Sequence, residues 1–150
     1  MQKLFLIMIV AVCFGLAGCA GAAKHAPIAM DDYRKQFARP AEDKAAVYIY
    51  RSGIIGKLAD TQILINGKFL GKNSGSTYLY VEVPPWECVI TSTQVREYTT
   101  LPLNVEGGKI YFIRDSISPG LFLANLLLTQ VDEETGKKEI QSCKLIESAM

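Results

Sequence analysis

Short runs of hydrophobic residues, rich in β-branched and aromatic side chains, follow one another from about residue 45 to residue 115. Runs of this length, separated by turn residues, are typical of an all-β domain. Because no helical pattern intervenes between them, they favour hairpins in series and an antiparallel β-sandwich. We predict about seven strands, near residues 46–51, 61–65, 68–70, 77–83, 87–93, 101–105 and 109–115.

Three pairs of turn residues set the predicted connections. Asn66-Gly67 lies between two apolar triplets and predicts a type I′ hairpin, because both central residues of that turn need positive φ. Gly107-Gly108 predicts a second hairpin. Pro84-Pro85 cannot donate hydrogen bonds to a strand ladder, so it separates the strand ending at Val83 from the next one.

The C-terminal third allows two interpretations at each of two places. Residues 121–128 are strongly apolar but too short to span a membrane, and we favour a buried strand over a loop that touches lipid or a partner. Residues 132–141 carry Glu-Lys pairs four residues apart, which indicate a short helix, although residues 134–137 would also suit a hairpin turn. We favour the helix.

The N-terminus has the layout of a secretory signal: Lys3, an apolar run at residues 4–14, and then small residues. The segment that ends it, Leu16-Ala17-Gly18-Cys19, resembles the lipobox of a bacterial lipoprotein precursor. That resemblance implies removal of residues 1–18 and a diacylglyceryl group on the Cys19 thiol. The alternatives are a true membrane span or an incidental cysteine, but the apolar run is shorter than the roughly 20 residues a span needs.

The lipoprotein resemblance also implies a location. Two or three acyl chains would anchor the protein stably to a membrane. Ala20 follows Cys19, a pattern that resembles proteobacterial lipoproteins sent to the outer membrane. We therefore expect a cell-envelope protein, on the periplasmic face of the outer membrane if the host is Gram-negative.

Between the anchor and the predicted domain at residues 45–147, residues 19–44 are small, polar and marked by prolines, as in a tether. Within them Asp31 or Asp32 could cap one short helix, with Tyr33 and Phe37 on a face that rests on the domain. The alternative, to which we give equal weight, is that the whole segment is a disordered spacer.

Charge and cysteine content narrow the chemistry. The chain has 16 Lys and Arg against 15 Asp and Glu, and removal of Lys3 balances them, so we expect no nucleic-acid partner. With Cys13 removed and Cys19 acylated, a Cys88–Cys143 disulfide is predicted, which would close a loop of about 55 residues and stabilise by about 3–4 kcal/mol. The alternative is two buried free thiols. We predict no metal and no cofactor, since these cysteines have no histidine near them.

Candidate active-site residues are few. His25 is the sole histidine and lies in the predicted tether. Four carboxylates could in principle pair as in glycosidases, although we interpret them as solvated strand or turn residues: Asp60, Glu82, Glu106 and Asp115. Paired tyrosines on common strand faces could recognise a glycan or a protein, and half-buried core tyrosines are the favoured alternative: Tyr48 with Tyr50, and Tyr78 with Tyr80.

The order of motifs from Ala45 to Glu147 resembles a known family. The segments that carry the resemblance are residues 46–51, 65–71, 77–81 and the Val83-Pro84-Pro85 turn. They resemble the bacterial domain of unknown function 2846, which comprises mainly predicted lipoproteins, and in part the PEGA repeat of cell-surface proteins. Both patterns usually place glycine after the proline turn, where this chain has Trp86-Glu87. The resemblance implies a fold and a location but no catalytic residues.

We therefore expect a non-enzymatic, membrane-anchored binding or assembly module, with the membrane as one partner through Cys19 and an envelope protein or glycan as another. The alternatives are a carboxylate-dependent enzyme acting on envelope glycan and a purely structural envelope component.

Overall fold

A computed structural model describes residues 23–53, 60–94, 97–118 and 125–150. Within these ranges the chain forms nine strands and two short helices. In chain order they are α1 (Ile28–Arg34), β1 (Ala45–Arg51), β2 (Thr61–Ile65), β3 (Lys68–Asn73), β4 (Thr77–Val83), β5 (Trp86–Gln94), β6 (Glu97–Val105), β7 (Ile110–Ser118), β8 (Asn125–Val131), α2 (Glu133–Ile140) and β9 (Lys144–Leu145).

The strands form a five-stranded sheet with the order β8-β7-β1-β4-β9 and a four-stranded sheet with the order β3-β2-β5-β6. Apolar side chains from both sheets meet in one core, so the predicted β-sandwich is confirmed. Most neighbouring strands are antiparallel, while β1 pairs with β7 and β4 with β9 in parallel. Between β1 and β7 the chain crosses to the smaller sheet and back twice, and this long connection allows β7 to pair with β1 in parallel.

Strand β1 is the centre of the larger sheet and is buried along its whole length. Because side chains alternate across a strand, Val47 and Ile49 point into the core between the sheets, while Tyr48 and Tyr50 point to the opposite face. That outer face is covered by Phe37, which follows α1, and by Ile140 of α2. The centre of the five-stranded sheet is therefore buried on both sides, whereas its edge strand β8 is mostly exposed.

The Asn66-Gly67 hairpin is confirmed. Both residues have positive φ, +49° and +77°, and they connect β2 to β3. Pro84-Pro85 separates β4 from β5, as predicted. The prediction of a hairpin at Gly107-Gly108 is wrong, because this turn connects β6 in one sheet to β7 in the other. Gly107 is needed there for space, since a Cβ atom would lie 1.7 Å from the carbonyl oxygen of Glu42.

The C-terminal third contains a strand and then a helix. Of the apolar residues 121–128, residues 121–124 lie outside the described part, and the remainder begins β8, where Leu128 is buried and Leu127 is 58% exposed. The helix predicted within 132–141 is confirmed as α2, so the alternative of a hairpin turn is wrong. Asp132 caps it by accepting a hydrogen bond of 2.8 Å from the backbone N–H of Thr135.

Residues 23–44 are part of the folded domain, so the prediction that they form a tether or a disordered spacer is wrong. The alternative, a short helix in this segment, is confirmed. Helix α1 begins after Pro27 without a side-chain cap, in contrast to the predicted Asp31 or Asp32 cap. Asp31 is buried instead, and Phe37 packs on the sheet as predicted while Tyr33 stays 51% exposed. Neither helix of the described residues is long and apolar enough to cross a membrane.

The predicted Cys88–Cys143 disulfide is wrong. Both residues are buried free thiols. Cys88 lies in the core between the sheets, whereas Cys143 lies in the cluster on the outer face of the five-stranded sheet, so the sheet itself separates them. Burial raises the pKa of both thiols, that of Cys143 to about 11, which keeps them protonated and unreactive.

Candidate functional site

The tyrosines predicted as a recognition face are interior residues. Tyr48, Tyr50 and Tyr78 are at most 1% exposed, and Tyr80 is half-buried beside them. The ring of Tyr48 stacks on Phe112 with 5.4 Å between centroids and meets Tyr80 edge-on at 4.9 Å. The recognition prediction is therefore wrong for Tyr48, Tyr50 and Tyr78, for which the favoured alternative of core tyrosines is confirmed, and it stays a prediction for the half-buried Tyr80.

The phenol groups of these tyrosines join the helices to the sheet. Tyr48 donates to the carbonyl oxygen of Arg34 at 2.8 Å, and Tyr50 donates to the Glu139 carboxylate of α2 at 2.5 Å. Arg114 holds the same carboxylate with two hydrogen bonds. Desolvation raises the pKa of Tyr48 to about 12 and raises that of Tyr50 further, so both remain neutral donors.

Asp31 fixes α1 to the edge of the larger sheet. Its carboxylate accepts hydrogen bonds from Tyr78 at 2.8 Å, from Lys35 at 3.1 Å and from the backbone N–H of Leu145 at 3.3 Å. Burial alone would raise its pKa, but the Tyr78 and Lys35 hydrogen bonds and the Lys35 charge together hold the pKa below its ordinary value. Asp31 is therefore a charged structural link in the folded protein.

A polar cluster is buried at one end of the sandwich, and Asp115 of β7 is its centre. Its carboxylate oxygens accept four side-chain hydrogen bonds of 2.6–2.9 Å. The donors come from four different strands: Arg51 of β1, Thr61 of β2, Asn73 of β3 and Ser92 of β5. We call these five residues the Asp115 cluster. It holds a buried ion pair, Arg51 with Asp115, and joins both sheets.

An open cleft of about 420 Å³ lies beside this cluster, at the margin formed by β4 and β9. Thr77 is part of its lining and donates a hydrogen bond of 2.9 Å to Asn73, which links the cleft to the Asp115 cluster. Ser74 and Ser76 add hydroxyl groups, and His25 and Lys144 are its exposed basic side chains. Because the lining also holds the Asp60 carboxylate, hydroxyl groups with one lysine and one aspartate suit a polar ligand.

Of the remaining sequence candidates, His25 and Asp60 both line this cleft, while Glu82 and Glu106 lie outside its lining. Asp60 is exposed in the lining of this cleft. Glu82 accepts from Tyr80, which is the main cause of its lowered pKa, and pairs with Lys44 at 3.4 Å. Glu106 pairs with Lys109 at 2.7 Å on the surface. His25 forms a backbone bridge with Ile146. In the described ranges no group of three His, Cys, Asp or Glu residues could hold a metal ion.

Sequence reasoning missed most of the Asp115 cluster. It named Asp115 as a possible glycosidase-type carboxylate and favoured a solvated residue, which is wrong because Asp115 is fully buried. It assigned no role to Arg51, Asn73 or Ser92. A signal was present, because polar residues occupy positions on β2 and β5 whose neighbours two residues away are core isoleucines: Thr61 before Ile63, and Ser92 after Ile90. A polar residue in such a position needs a buried partner.

Two comparisons with known proteins find relatives of this chain, and both cover most of the β-sandwich. The family model described as "Protein of unknown function (DUF2846)" matches residues 41–124. A protein of Haemophilus influenzae, described as uncharacterized, is 31% identical over 137 residues, which cover 91% of this chain and 81% of that protein. No solved structure matches significantly. The matched region runs from the approach to β1 to the end of β7 and beyond, and more than half of the chain lies within it. The chain therefore belongs to the DUF2846 family.

Proposed function

We propose that this chain is a lipid-anchored protein of the cell envelope whose β-sandwich acts as a binding or assembly module. The observation that carries the proposal is the position of the lipobox, Leu16 to Cys19, directly ahead of the fold. Cys19 lies four residues before Ala23. The described part of the chain begins at Ala23, which packs against the core. An acyl group on Cys19 would hold the whole domain close to a membrane surface.

The environment of Asp115 supports a binding module over an enzyme. A general acid or base needs a free lone pair or proton and access to a substrate. Asp115 has no exposed surface, and four donors occupy its two oxygens. The polar cleft, in contrast, is open to solvent and offers hydroxyl groups with Lys144 at its rim. We propose this cleft as the ligand site of the module.

The anchor is tested by the mass and location of the full chain expressed in a bacterium with an outer membrane. The wild type and a Cys13→Ala variant are expected to lose residues 1–18, to gain the acyl mass on Cys19 and to remain in the membrane fraction. Cys19→Ala is expected to keep its signal and gain no acyl mass. Cys13 is the matched control because it lies in the same signal segment. An unmodified Cys19 in the wild type would refute the anchor.

The module is tested by photo-crosslinking in intact cells from two exposed positions, Ser142 in the lining of the cleft and Thr100 on the side of the sandwich far from β9. We expect the same envelope protein to be recovered repeatedly. The enzyme alternative makes a different prediction. If the purified protein cleaves envelope glycan, and Asp60→Asn abolishes that cleavage, the module proposal is wrong and Asp60 is the catalytic carboxylate.

A further inference from the structure

The N-terminal end of the described chain is fixed along one side of the sandwich. The backbone N–H of Glu147 donates to the carbonyl oxygen of Lys24 at 2.9 Å, and that of Ala26 donates to Leu145 at 2.9 Å. His25 and Ile146 form an antiparallel bridge between these two bonds. Ala23 packs against the core. The position of Ala23 on the domain is therefore determined.

This side is formed by the edges of both sheets. Strand β9 is the last strand of the larger sheet, and β3 is the last strand of the smaller one. The chain after β9 continues across to β3, since the backbone N–H of Ala149 donates to the carbonyl oxygen of Leu70. Strands β8 and β6 form the opposite edges. The domain thus has a β9–β3 side, where Ala23 lies, and a β8–β6 side.

The length of chain between Cys19 and Ala23 limits how the domain can sit on a membrane. Four residues span at most about 14 Å when fully extended. A compact domain of this size is roughly 35 Å across. If Cys19 is acylated at the lipid surface, the β9–β3 side must stay within reach of the lipid headgroups, and the β8–β6 side cannot approach them.

The exposed side chains around Ala23 match such a surface. The side chains of Lys24 and Lys144 are 78% and 67% exposed, and they also pair with Glu147 at 3.1 Å and with Asp31 at 3.8 Å. Ile28 and Met30, at the start of α1, are 77% and 45% exposed, and Met30 shares a surface pocket with Ala26 and Ile146. Basic side chains next to exposed apolar ones are what the headgroup layer accommodates, since lysines meet phosphates and apolar groups enter the acyl boundary.

We infer that Lys24, Ile28, Met30 and Lys144 form an anchor face that lies against the lipid headgroups of the membrane that holds Cys19, so that the polar cleft opens onto those headgroups. This inference rests on the proposed lipid anchor and adds an orientation and a ligand class to it. The cleft, whose lining holds hydroxyl groups, Lys144 and the Asp60 carboxylate, then takes a polar lipid headgroup. The β8–β6 side, including exposed Tyr98 and Leu127, faces away from the membrane.

The test is the labelling rate of single cysteines on vesicle-bound protein. Cys88 and Cys143 are buried and the acyl group occupies Cys19, so an introduced cysteine is the reactive thiol. Lys144→Cys reports on the anchor face, and Thr100→Cys, exposed on β6, is the matched control. Each full chain is lipidated in cells, placed in vesicles of phosphatidylethanolamine and phosphatidylglycerol, and treated with a 5 kDa polyethylene glycol maleimide. Each is compared with the same variant carrying a 20-residue Gly-Ser insertion between Ala22 and Ala23.

We expect the insertion to speed the labelling of Lys144→Cys about fivefold or more and to leave Thr100→Cys unchanged within a factor of two. Equal effects at both positions, with the acyl group present on Cys19 by mass, would overturn the anchor face while leaving the proposed anchor intact. An unmodified Cys19 would overturn both. Because both variants change exposed side chains, near-native circular dichroism is expected for each.

Discussion

At the scale of single residues, Trp86 is in a backbone conformation that suits glycine. Its φ is +103°, which L side chains rarely adopt, and the side chain is 82% exposed. Residue 86 follows the Pro84-Pro85 turn, where the resemblance to related sequences leads us to expect glycine. The fold therefore keeps the turn geometry that glycine would adopt and places a strained tryptophan in it.

We predict that Trp86→Gly is more stable than Trp86→Ala by about 1 kcal/mol, because both remove the indole and only glycine relieves the positive φ. Urea unfolding of the two variants and the wild type measures the difference. The alanine variant is the control for loss of the exposed ring. Equal stabilities for the glycine and alanine variants would show that the backbone at residue 86 is not strained.

The sequence predicted which face of a strand each side chain occupies, because side chains alternate between the two faces, but it did not predict what covers that face. The spacing of Tyr48 with Tyr50 correctly placed the two rings on one face of β1. Whether that face is open depends on Phe37 and Ile140, which come from distant parts of the chain and cover it. The same limit explains the wrong disulfide, since the spacing of Cys88 and Cys143 does not reveal the sheet between them.

At the scale of elements, α2 packs closely on β7 through Gly136. A Cβ atom at this position would lie 2.3–2.5 Å from atoms of the Phe112 side chain. In the sequence, Gly136 suggested a hairpin turn. Its role is instead to let the helix approach the sheet, so the helical charge pattern was the better guide to this segment.

We predict that Gly136→Ala destabilises the protein by about 1–3 kcal/mol through overpacking against Phe112. Helix propensity alone gives the opposite sign, a gain of about 1 kcal/mol for alanine over glycine. Glu134→Ala, exposed in the same helix, is the control and should change the free energy of unfolding by less than about 0.5 kcal/mol. A stabilised Gly136→Ala variant would mean that α2 does not pack this closely.

The attachment of α1 to the sheet should depend on pH through Asp31. Tyr78, Lys35 and Lys144 face its carboxylate, and its pKa lies below the ordinary value of 3.8. The ionised form is thus favoured by folding. Its stabilisation is complete above about pH 4, where the unfolded chain is also ionised, and is lost as pH falls through the folded-state pKa.

We predict that Asp31→Asn lowers the free energy of unfolding by about 1–3 kcal/mol at pH 7 and that the gap to the wild type narrows as pH falls below about 4. Urea unfolding across this pH range measures the gap. Asp32→Asn is the matched control because Asp32 is the exposed neighbour in the same helix. A gap that does not change with pH would show that the charge of Asp31 is not what attaches α1.

The positions of the strands were more predictable from the sequence than the way the strands pair into sheets. Asn66-Gly67 and Pro84-Pro85 fix local backbone geometry, and the strands next to them were placed within a few residues. The Gly107-Gly108 connection was misjudged because a turn sequence does not reveal whether the next strand joins the same sheet. Strand β9 has two residues and depends on backbone bonds to β4, so it has no hydrophobic pattern of its own.

At the scale of the whole molecule, the Asp115 cluster determines how the two sheets face each other. Asp115 is on the larger sheet, and three of its donors, Thr61, Asn73 and Ser92, are on the smaller one, so a shift of either sheet would break these buried hydrogen bonds. A buried polar group that loses its hydrogen-bond partner costs about 1–3 kcal/mol. The apolar core drives the sheets together without direction, and this polar cluster favours a single alignment.

We predict that Asp115→Asn lowers the free energy of unfolding by about 3–5 kcal/mol, because it removes the carboxylate charge that pairs with the buried Arg51 guanidinium. Glu106→Gln, which removes the exposed pair with Lys109, is the control and should cost less than about 1 kcal/mol. The double variant Arg51→Met with Asp115→Leu removes both charges and should be more stable than Asp115→Asn alone. If the double variant is the less stable of the two, the cluster stabilises the sandwich through its hydrogen bonds to Thr61, Asn73 and Ser92 and not through charge pairing. Urea unfolding, with near-ultraviolet circular dichroism to report on the core tyrosines, separates these outcomes.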